Sequence, residues 1–340
     1  MRKFIIALAI LLGVIFIIGQ LSEVQSIIET LQQGDWRFLI IAFLVQTVWL
    51  GNVALSYWAI YRLLNLSEKT FTLFNLAAAA NFVNVVAPTA GMGGMAVFVS
   101  HARKESYSGG RAAIAGALYV LFDYIGFILV LAVAIIILIR RNNLTWVELS
   151  ASLILVILAI TLSVLLFLGT RSANALGRAL AWLASLVNIG SRALLKRDYL
   201  SEQRAFEFAA DAAEGLSEIR TRPINLIFPA VLALSNKFLL IAVFTLVFLS
   251  FNVPFTAGTI IAGFSISYLF LIVSPTPSGI GVVEGVLTLT LRSLNVPLGA
   301  AAVIALAYRG ISFWFPLLVG MFSFRILGES KDIDTPNEYV

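Results

Sequence analysis

Apolar runs long enough to cross a lipid bilayer recur through this sequence, and they constrain its fold more than any other feature. A helix needs about 20 residues to span the hydrocarbon core. Runs of about that length or longer cover residues 4–21, 38–64, 111–139, 147–169, 224–251 and 298–326. Because the hydrocarbon core offers backbone groups no water, such runs cross it as helices that satisfy their own hydrogen bonds. The sequence therefore predicts an all-α polytopic membrane protein.

The composition supports a membrane protein and argues against several other classes. Of the 340 residues, 60% are hydrophobic and 12% are charged, whereas charged residues make up about 25% of soluble domains. The sequence has no cysteine and one histidine, which argues against disulfides, thiol chemistry and a Cys/His metal site. It shows no nucleophile–base constellation and no nucleotide-binding loop. We therefore expect no enzymatic activity, no cofactor and no nucleic-acid partner.

Two segments of similar sequence interrupt apolar stretches. The first, APTAGMGG, covers residues 87–94 after the apolar stretch 71–87, and the second, SPTPSGIG, covers residues 274–281 after the stretch 257–274. Broken helices in paired copies are the best sequence pointer to a transport site near the bilayer midplane. The residues of these segments that we predict to contact a substrate are Pro88, Gly93, Gly94, Pro275, Thr276, Gly279 and Gly281.

Glycines at these breaks have two interpretations. They can simply allow helices to approach closely. They can also free backbone N–H groups, so that the start of a half-helix presents donors and a positive dipole end to an anion. The recurrence of a Pro-Thr pair followed by glycines in both copies favours the anion-binding interpretation.

Four ionisable residues lie inside the predicted membrane segments: Asp123, Lys237, Glu284 and Arg309. Asp123 and Arg309 follow the two breaks at spacings that agree within one residue. Ionisable residues at membrane depth are costly and mark functional sites. One interpretation is internal ion pairs that fix helix packing. The other is a cavity in which Arg309 and Lys237 hold a phosphate, while the carboxylates respond to it or carry protons.

The distribution of charge predicts the orientation in the membrane, because cytoplasmic loops collect Lys and Arg. With the N-terminus inside, the basic stretch 171–222 falls inside only if residues 71–110 dip into the membrane and return. The segment 257–297 then opens from the opposite face. This predicts about six spanning helices plus two re-entrant helical hairpins in an inverted repeat. Both termini would be cytoplasmic, in the inner (cytoplasmic) membrane. An alternative, in which 71–87 and 257–274 are full spans, stays open at this point.

The domain organisation follows from the same pattern. Residues 1–326 form a single transmembrane domain, with a first repeat at about 71–139 and a second at about 257–326, and residues 327–340 form a short polar cytoplasmic tail. Residues 4–21 are interpreted as a retained signal-anchor. The connector 171–222 contains a predicted interfacial helix over 173–195 and an amphipathic helix over 201–220. A solvated connector is favoured over a partner-docking surface.

A family resemblance is carried by the second motif. Residues 275–284, followed by a Tyr-Arg pair at 308–309, resemble the lysylphosphatidylglycerol synthetase transmembrane-region family, often called flippase-like. The pattern of that family is close to Pro-x-Pro-Gly-Gly-x-Gly-x-x-Glu, then Tyr-Arg in the last helix. The first motif, over 84–94, and the later Asp123 are also similar, and the resemblance covers roughly 35–325.

The sequence departs from the family pattern at two places. Ser278 stands where the family usually has Gly, and Met95-Ala96 stand where many members carry an acidic residue or Arg. The resemblance implies the membrane half of the bifunctional members, which is linked to moving aminoacylated lipid across the bilayer. Lysyl-lipid synthesis is not implied.

These observations predict a lipid flippase or translocase that moves an anionic-headgroup lipid, or a lipid-linked intermediate, across the cytoplasmic membrane. Two alternatives remain. The first is a transporter of a small soluble anion that uses the same site. The second is a non-transporting membrane subunit that presents lipid to a partner through 171–222. The expected partners are membrane lipid and, under the last alternative, a lipid-modifying enzyme at the cytoplasmic face.

Overall fold

The predicted all-α fold class is confirmed for the part of the chain that the computed structural model describes: residues 28–86, 92–105, 107–195, 202–221, 223–274 and 276–329. Its labelled helices are α1 (Trp36–Leu63), α2 (Thr70–Val86), α3 (Met92–Lys104), α4 (Gly109–Arg140), α5 (Trp146–Arg171), α6 (Ala173–Leu195), α7 (Glu202–Thr221), α8 (Ile227–Ser250), α9 (Ala257–Val273), α10 (Val282–Ser293), α11 (Leu298–Arg309) and α12 (Phe315–Glu329). The predicted signal-anchor, Pro88 and Pro275 lie outside the described residues, as does the tail from residue 330 onward.

Among the described residues, five segments are long and apolar enough to span a membrane: α1, α4, α5, residues 224–250 and the continuous helix 298–327. They agree with the last five predicted spans, so the chain is a multi-pass membrane protein. The helices α2 and α9 are shorter, at 17 residues each. Large side chains exposed on the spans are apolar, as on α5 with Leu153, Ile157 and Ile160. This is the surface that a lipid environment requires.

Local sequence signals set the ends of the helices. Helix α1 starts after Asp35, whose carboxylate accepts a hydrogen bond from the Arg37 amide at 2.9 Å, and an N-cap of this kind satisfies an otherwise unpaired donor. Four helices are followed closely by an asparagine in the left-handed conformation, with φ between 52° and 68°: Asn65, Asn142, Asn252 and Asn295 after α1, α4, α8 and α10. Asparagine adopts this conformation more readily than most residues, so these turns stop each helix sharply.

Two apolar cores lie one above the other along the long helices. Residues 39–42 of α1 and 127–138 of α4 contribute to one core, together with α8 to α11. Residues 53–64 of α1 and 114–118 of α4 contribute to the other, together with α2, α3 and α7. The partly buried Trp49 packs against both cores. The interval between the cores therefore falls near the middle of α1 and α4.

The helices that precede and follow the two breaks pack in matching ways. Helices α1 and α8 pack against each other, α2 and α3 form one pair, and α9 and α10 form another. Helix α2 also packs on α12, and α9 also packs on α4. Each broken pair thus lies against a long helix from the other half of the chain: α2–α3 against α12, and α9–α10 against α4.

The connector between the halves forms the helices α6 and α7, in agreement with the two predicted helices. Helix α7 packs against α4, α5 and α6. Ala209, Ala212 and Leu216 on its apolar face are buried, and Glu214 pairs with Arg111 of α4 at 2.8 Å. These residues of α7 are therefore covered by the same chain, whereas Phe206 and Phe208 of the same helix are exposed.

Candidate functional site

A cavity of about 640 Å³ with both polar and apolar lining groups lies at the interval between the two apolar cores. Its walls come from α1, α2, α4, α8, α9, the second break, the start of α10 and the last span. Most of the polar lining groups are hydroxyls and amides, and Asp123 and Arg309 are its charged lining residues. The polar and aromatic lining residues are Trp49, Asn81, Asn84, Tyr119, Asp123, Tyr124, Ser267, Tyr268, Ser274, Thr276, Ser278, Tyr308, Arg309, Ser312 and Phe313.

The first ion pair is a closed triangle of three side chains. The ammonium of Lys237 donates to Asp123 Oδ1 at 2.6 Å and to the Tyr268 hydroxyl at 2.6 Å. That hydroxyl donates in turn to Asp123 Oδ2 at 2.9 Å. The Lys237 side chain is 0% exposed, and its ammonium lies 3.8 Å from the Tyr268 ring centroid. Both carboxylate oxygens of Asp123 thus accept hydrogen bonds. Asp123 and Tyr268 line the cavity, and Lys237 lies behind them.

The second ion pair joins the last span to the break before α10. Arg309 Nε donates to Glu284 Oε1, and Nη2 donates to the Ser278 carbonyl at 3.2 Å. The guanidinium also lies over the Phe313 ring, 4.1 Å from its centroid. Within the described residues, the buried Oε2 of Glu284 has no hydrogen-bond partner. This pair is therefore incomplete on its carboxylate side, unlike the first.

The geometry of the second break follows from its small and hydroxylated residues. Thr276 Oγ1 donates to the Ile280 carbonyl at 3.1 Å, and the Gly279 amide donates to the Thr276 carbonyl at 3.0 Å. Ser278, Gly279 and Gly281 all have positive φ, a region that favours glycine. Helix α10 starts directly after Gly281 and carries Glu284 in its first turn.

One side chain links the two helices on either side of the first break. Asn84, near the end of α2, accepts a hydrogen bond from the Gly94 amide of α3 at 2.6 Å. A Cβ atom on Gly94 would lie 2.5 Å from the Asn84 amide nitrogen, so glycine is required for this contact. Gly93 belongs to the first turn of α3. This asparagine gives the interhelical hydrogen bond that is common in membrane bundles.

The structure brings together predicted site residues from both halves of the chain. Asp123, Thr276 and Arg309 line the cavity, and Lys237 and Glu284 lie behind it as ion-pair partners. Gly279 and Gly281 shape the break. Described Asp, Glu and His side chains form no cluster that could hold a metal ion.

The sequence analysis did not include the tyrosines of the cavity among the site residues. Tyr119, Tyr124, Tyr268 and Tyr308 line it, and Tyr268 links both members of the first ion pair. The signal was present, because tyrosines belong at the membrane interface, whereas these lie deep inside apolar helices. A tyrosine in the middle of a membrane span is therefore a candidate site residue, as an ionisable residue at that depth is.

A comparison with protein families decides the classification. The family described as "Lysylphosphatidylglycerol synthase TM region" matches residues 4–320. The chain belongs to this family. No match was found among curated proteins or among solved structures. Family membership is consistent with a membrane lipid-related role, and the cavity just described lies within the matched region of this lysylphosphatidylglycerol synthase TM-region protein.

Proposed function

We propose that this protein is a lipid translocase, which moves a lipid with an anionic headgroup across the cytoplasmic membrane without converting it chemically. The observation that carries the proposal is the cavity between the two apolar cores, with the guanidinium of Arg309 in its wall. A guanidinium suits a phosphate because its planar fork offers parallel donors. Hydroxyls and amides around it suit the polar remainder of a headgroup.

The size of the cavity favours a headgroup over a whole lipid. Small-molecule sites usually measure roughly 300–1,000 Å³, and the cavity measures about 640 Å³. Acyl chains would remain outside, in contact with the apolar outer surfaces of the spans. A lateral path between helices is thus part of the proposal, whereas a small soluble anion would need an aqueous entrance.

The proposed movement uses two re-entrant hairpins in an inverted repeat. The first hairpin is α2–α3 and the second is α9–α10, entering from opposite faces, with both chain termini in the cytoplasm. The reciprocal packing of α2 on α12 and of α9 on α4 supports this arrangement. Rocking of one repeat against the other would then open the cavity to each leaflet in turn.

The partner-subunit alternative requires the 171–222 region to offer a docking surface. Ala212 and Leu216 of α7 are buried, whereas Trp182 of α6 and Phe206 and Phe208 of α7 are exposed. A lipid-modifying enzyme at the cytoplasmic face would bind these exposed aromatic side chains. This alternative gives the cavity no role, so transport is the function that we propose, with membrane lipid as the partner.

Reconstitution in liposomes tests the proposal. Fluorescent anionic and zwitterionic lipids are followed across the bilayer, and uptake of soluble dimethyl phosphate is measured in parallel. We expect Arg309→Ala to slow anionic-lipid movement at least tenfold, which corresponds to about 1.4 kcal/mol. Arg292→Ala, an exposed arginine at the end of α10, is the matched control. Arg309→Lys keeps the charge but loses the fork, so it separates charge from geometry if the alanine variant fails to fold.

The outcomes separate the candidates. Anionic-lipid movement that depends on Arg309 supports the translocase. Dimethyl phosphate uptake without lipid movement would assign the cavity to a small-anion transporter. Folded wild-type protein that moves neither probe would overturn the transport proposal.

A further inference from the structure

The two buried carboxylates of the site are satisfied to different degrees. Asp123 accepts from Lys237 on one oxygen and from Tyr268 on the other. Glu284 accepts from Arg309 on Oε1, while Oε2 is buried without a partner in the described part of the chain. A buried charged group that lacks hydrogen bonds is costly. Of the two carboxylates, Glu284 is the one that leaves an oxygen without a hydrogen bond among the described residues.

An anion at Arg309 would share one buried cation with Glu284. Nε donates to Glu284, and Nη2 donates to the Ser278 carbonyl, so these bonds use two of the five N–H donors of the guanidinium. An anion can bind through the other donors. The single positive charge of Arg309 would then face two negative charges, and a like charge nearby disfavours the charged form of a carboxylate.

Within the described residues, the elements packed against α10 supply no second cation beside Glu284. Helix α9 carries Tyr268 and no charged residue, and α11 carries Tyr308 and Arg309. The break beside α10 contacts α2, which has no charged residue. On α10 itself the other charge is Arg292, in the last turn. With an anion at Arg309, the buried pair would thus face a second negative charge, a state that proteins avoid by taking up a proton.

We propose that Glu284 is the binding site of a coupling proton, a role that rests on the translocase function proposed above. When the anion binds to the remaining N–H donors of Arg309, a proton from the aqueous medium adds to the Glu284 carboxylate. One negative charge and one positive charge enter together, so the net charge of the buried site does not change. Proton and anion then cross the membrane as a neutral pair, which avoids the cost of a net charge at membrane depth.

Proton uptake during ligand binding tests this directly. The detergent-purified protein is titrated in weak buffer near pH 7 with a short-chain phosphatidylglycerol and, separately, with dimethyl phosphate, since neither phosphodiester titrates there. We expect about one proton taken up per bound ligand in the wild type, and almost none per bound ligand in Glu284→Gln, because linkage requires a group whose protonation changes on binding. Glu105→Gln, an exposed carboxylate at the end of α3, is the control and should keep the wild-type ratio.

A second readout does not depend on the variant folding. Infrared difference spectra of the wild type should show the carbonyl band of a protonated carboxylic acid when ligand is added. Binding without proton uptake and without this band would overturn the proton site but leave the translocase intact. Absence of both binding and lipid movement would remove the translocase and the proton site together. Uptake with the lipid alone identifies a lipid ligand, and uptake with both probes supports the proton site for any phosphodiester anion.

Discussion

At the scale of single residues, the protein has two buried ion pairs that differ in whether both carboxylate oxygens accept hydrogen bonds. Burying a charge in a membrane protein is costly unless it is paired and hydrogen-bonded. The Lys237–Asp123 pair meets that condition through Tyr268, with donor–acceptor distances of 2.6 to 2.9 Å. The Arg309–Glu284 pair leaves Glu284 Oε2 without a partner among the described residues. The first pair is thus suited to hold its helices together, and the second is suited to accept a further binding partner.

The structural role of the first pair leads to a stability prediction. Lys237→Met leaves Asp123 with Tyr268 as its remaining partner, and Asp123→Asn leaves a buried ammonium unpaired. Each single change should destabilise the protein by about 3–5 kcal/mol, because removing one partner strands a buried charge. The double variant should be clearly more stable than the sum of the single effects predicts. Thermal unfolding in detergent measures this, and strictly additive losses would contradict a structural pair.

The charged site residues could be predicted from sequence because charges are rare at membrane depth. Asp123, Lys237, Glu284 and Arg309 were identified that way, and the structure pairs them two by two. The choice of partners could not be predicted, because it depends on which faces of α4, α8 and α11 meet. The contribution of Tyr268 was missed for the same reason.

At the scale of helices, one close approach between the halves depends on a single glycine. A Cβ atom on Gly320 of α12 would lie 2.3 Å from the Ala78 carbonyl oxygen of α2 and 2.9 Å from Phe82 Cβ. The first of these atoms belongs to the backbone, so relief requires the helices to separate. Small residues at such crossings allow membrane helices to pack closely.

Gly320→Ala should therefore destabilise the protein by about 1–3 kcal/mol, the usual cost of overpacking. Gly299→Ala is the matched control, since it is also helical and its added Cβ would meet no atom within 4 Å. Alanine favours helix over glycine, so the control should unfold at the wild-type temperature or above it. Equal melting temperatures for both variants would show that α2 and α12 do not approach this closely.

The long helices were predictable from sequence, but the geometry of the breaks was not. Five spans matched the apolar runs because length and hydrophobicity suffice to define them. The positive φ of Ser278 was not predictable, since serine seldom adopts that conformation. The π-helical turn at Gly310–Trp314 also left no sequence signal, because the apolar run continues through it.

At the scale of the whole molecule, two apolar cores are separated by a polar layer. The cores belong to opposite ends of α1 and α4, and the cavity lies between them. Each half supplies one ionisable cavity-lining residue, Asp123 from the first and Arg309 from the second. A substrate in the cavity would therefore contact both halves, which is what alternating access requires.

The absence of cysteine makes the proposed topology directly testable. Single cysteines at Lys69, Glu105, Phe255 and Arg292 replace exposed residues that flank the two helix pairs. With two re-entrant hairpins, cysteines at 69 and 105 should react with an impermeant thiol reagent from the cytoplasmic face, and those at 255 and 292 from the opposite face. A cysteine at 105 that reacts from the face opposite to 69 would show that α2 is a full span.

The π-helical turn that follows Arg309 has a mechanical consequence for the last span. A π turn holds about one residue more than an α-helical turn, and each residue of an α-helix advances about 100° around the axis. If Gly310–Trp314 relaxed to α-helix, α11 would swivel by roughly that angle relative to α12. The Arg309 side chain would then point to a different side of the last span, while the helix stayed continuous. A one-residue change of helical register would thus rotate Arg309 about the axis of the span, at the centre of the membrane.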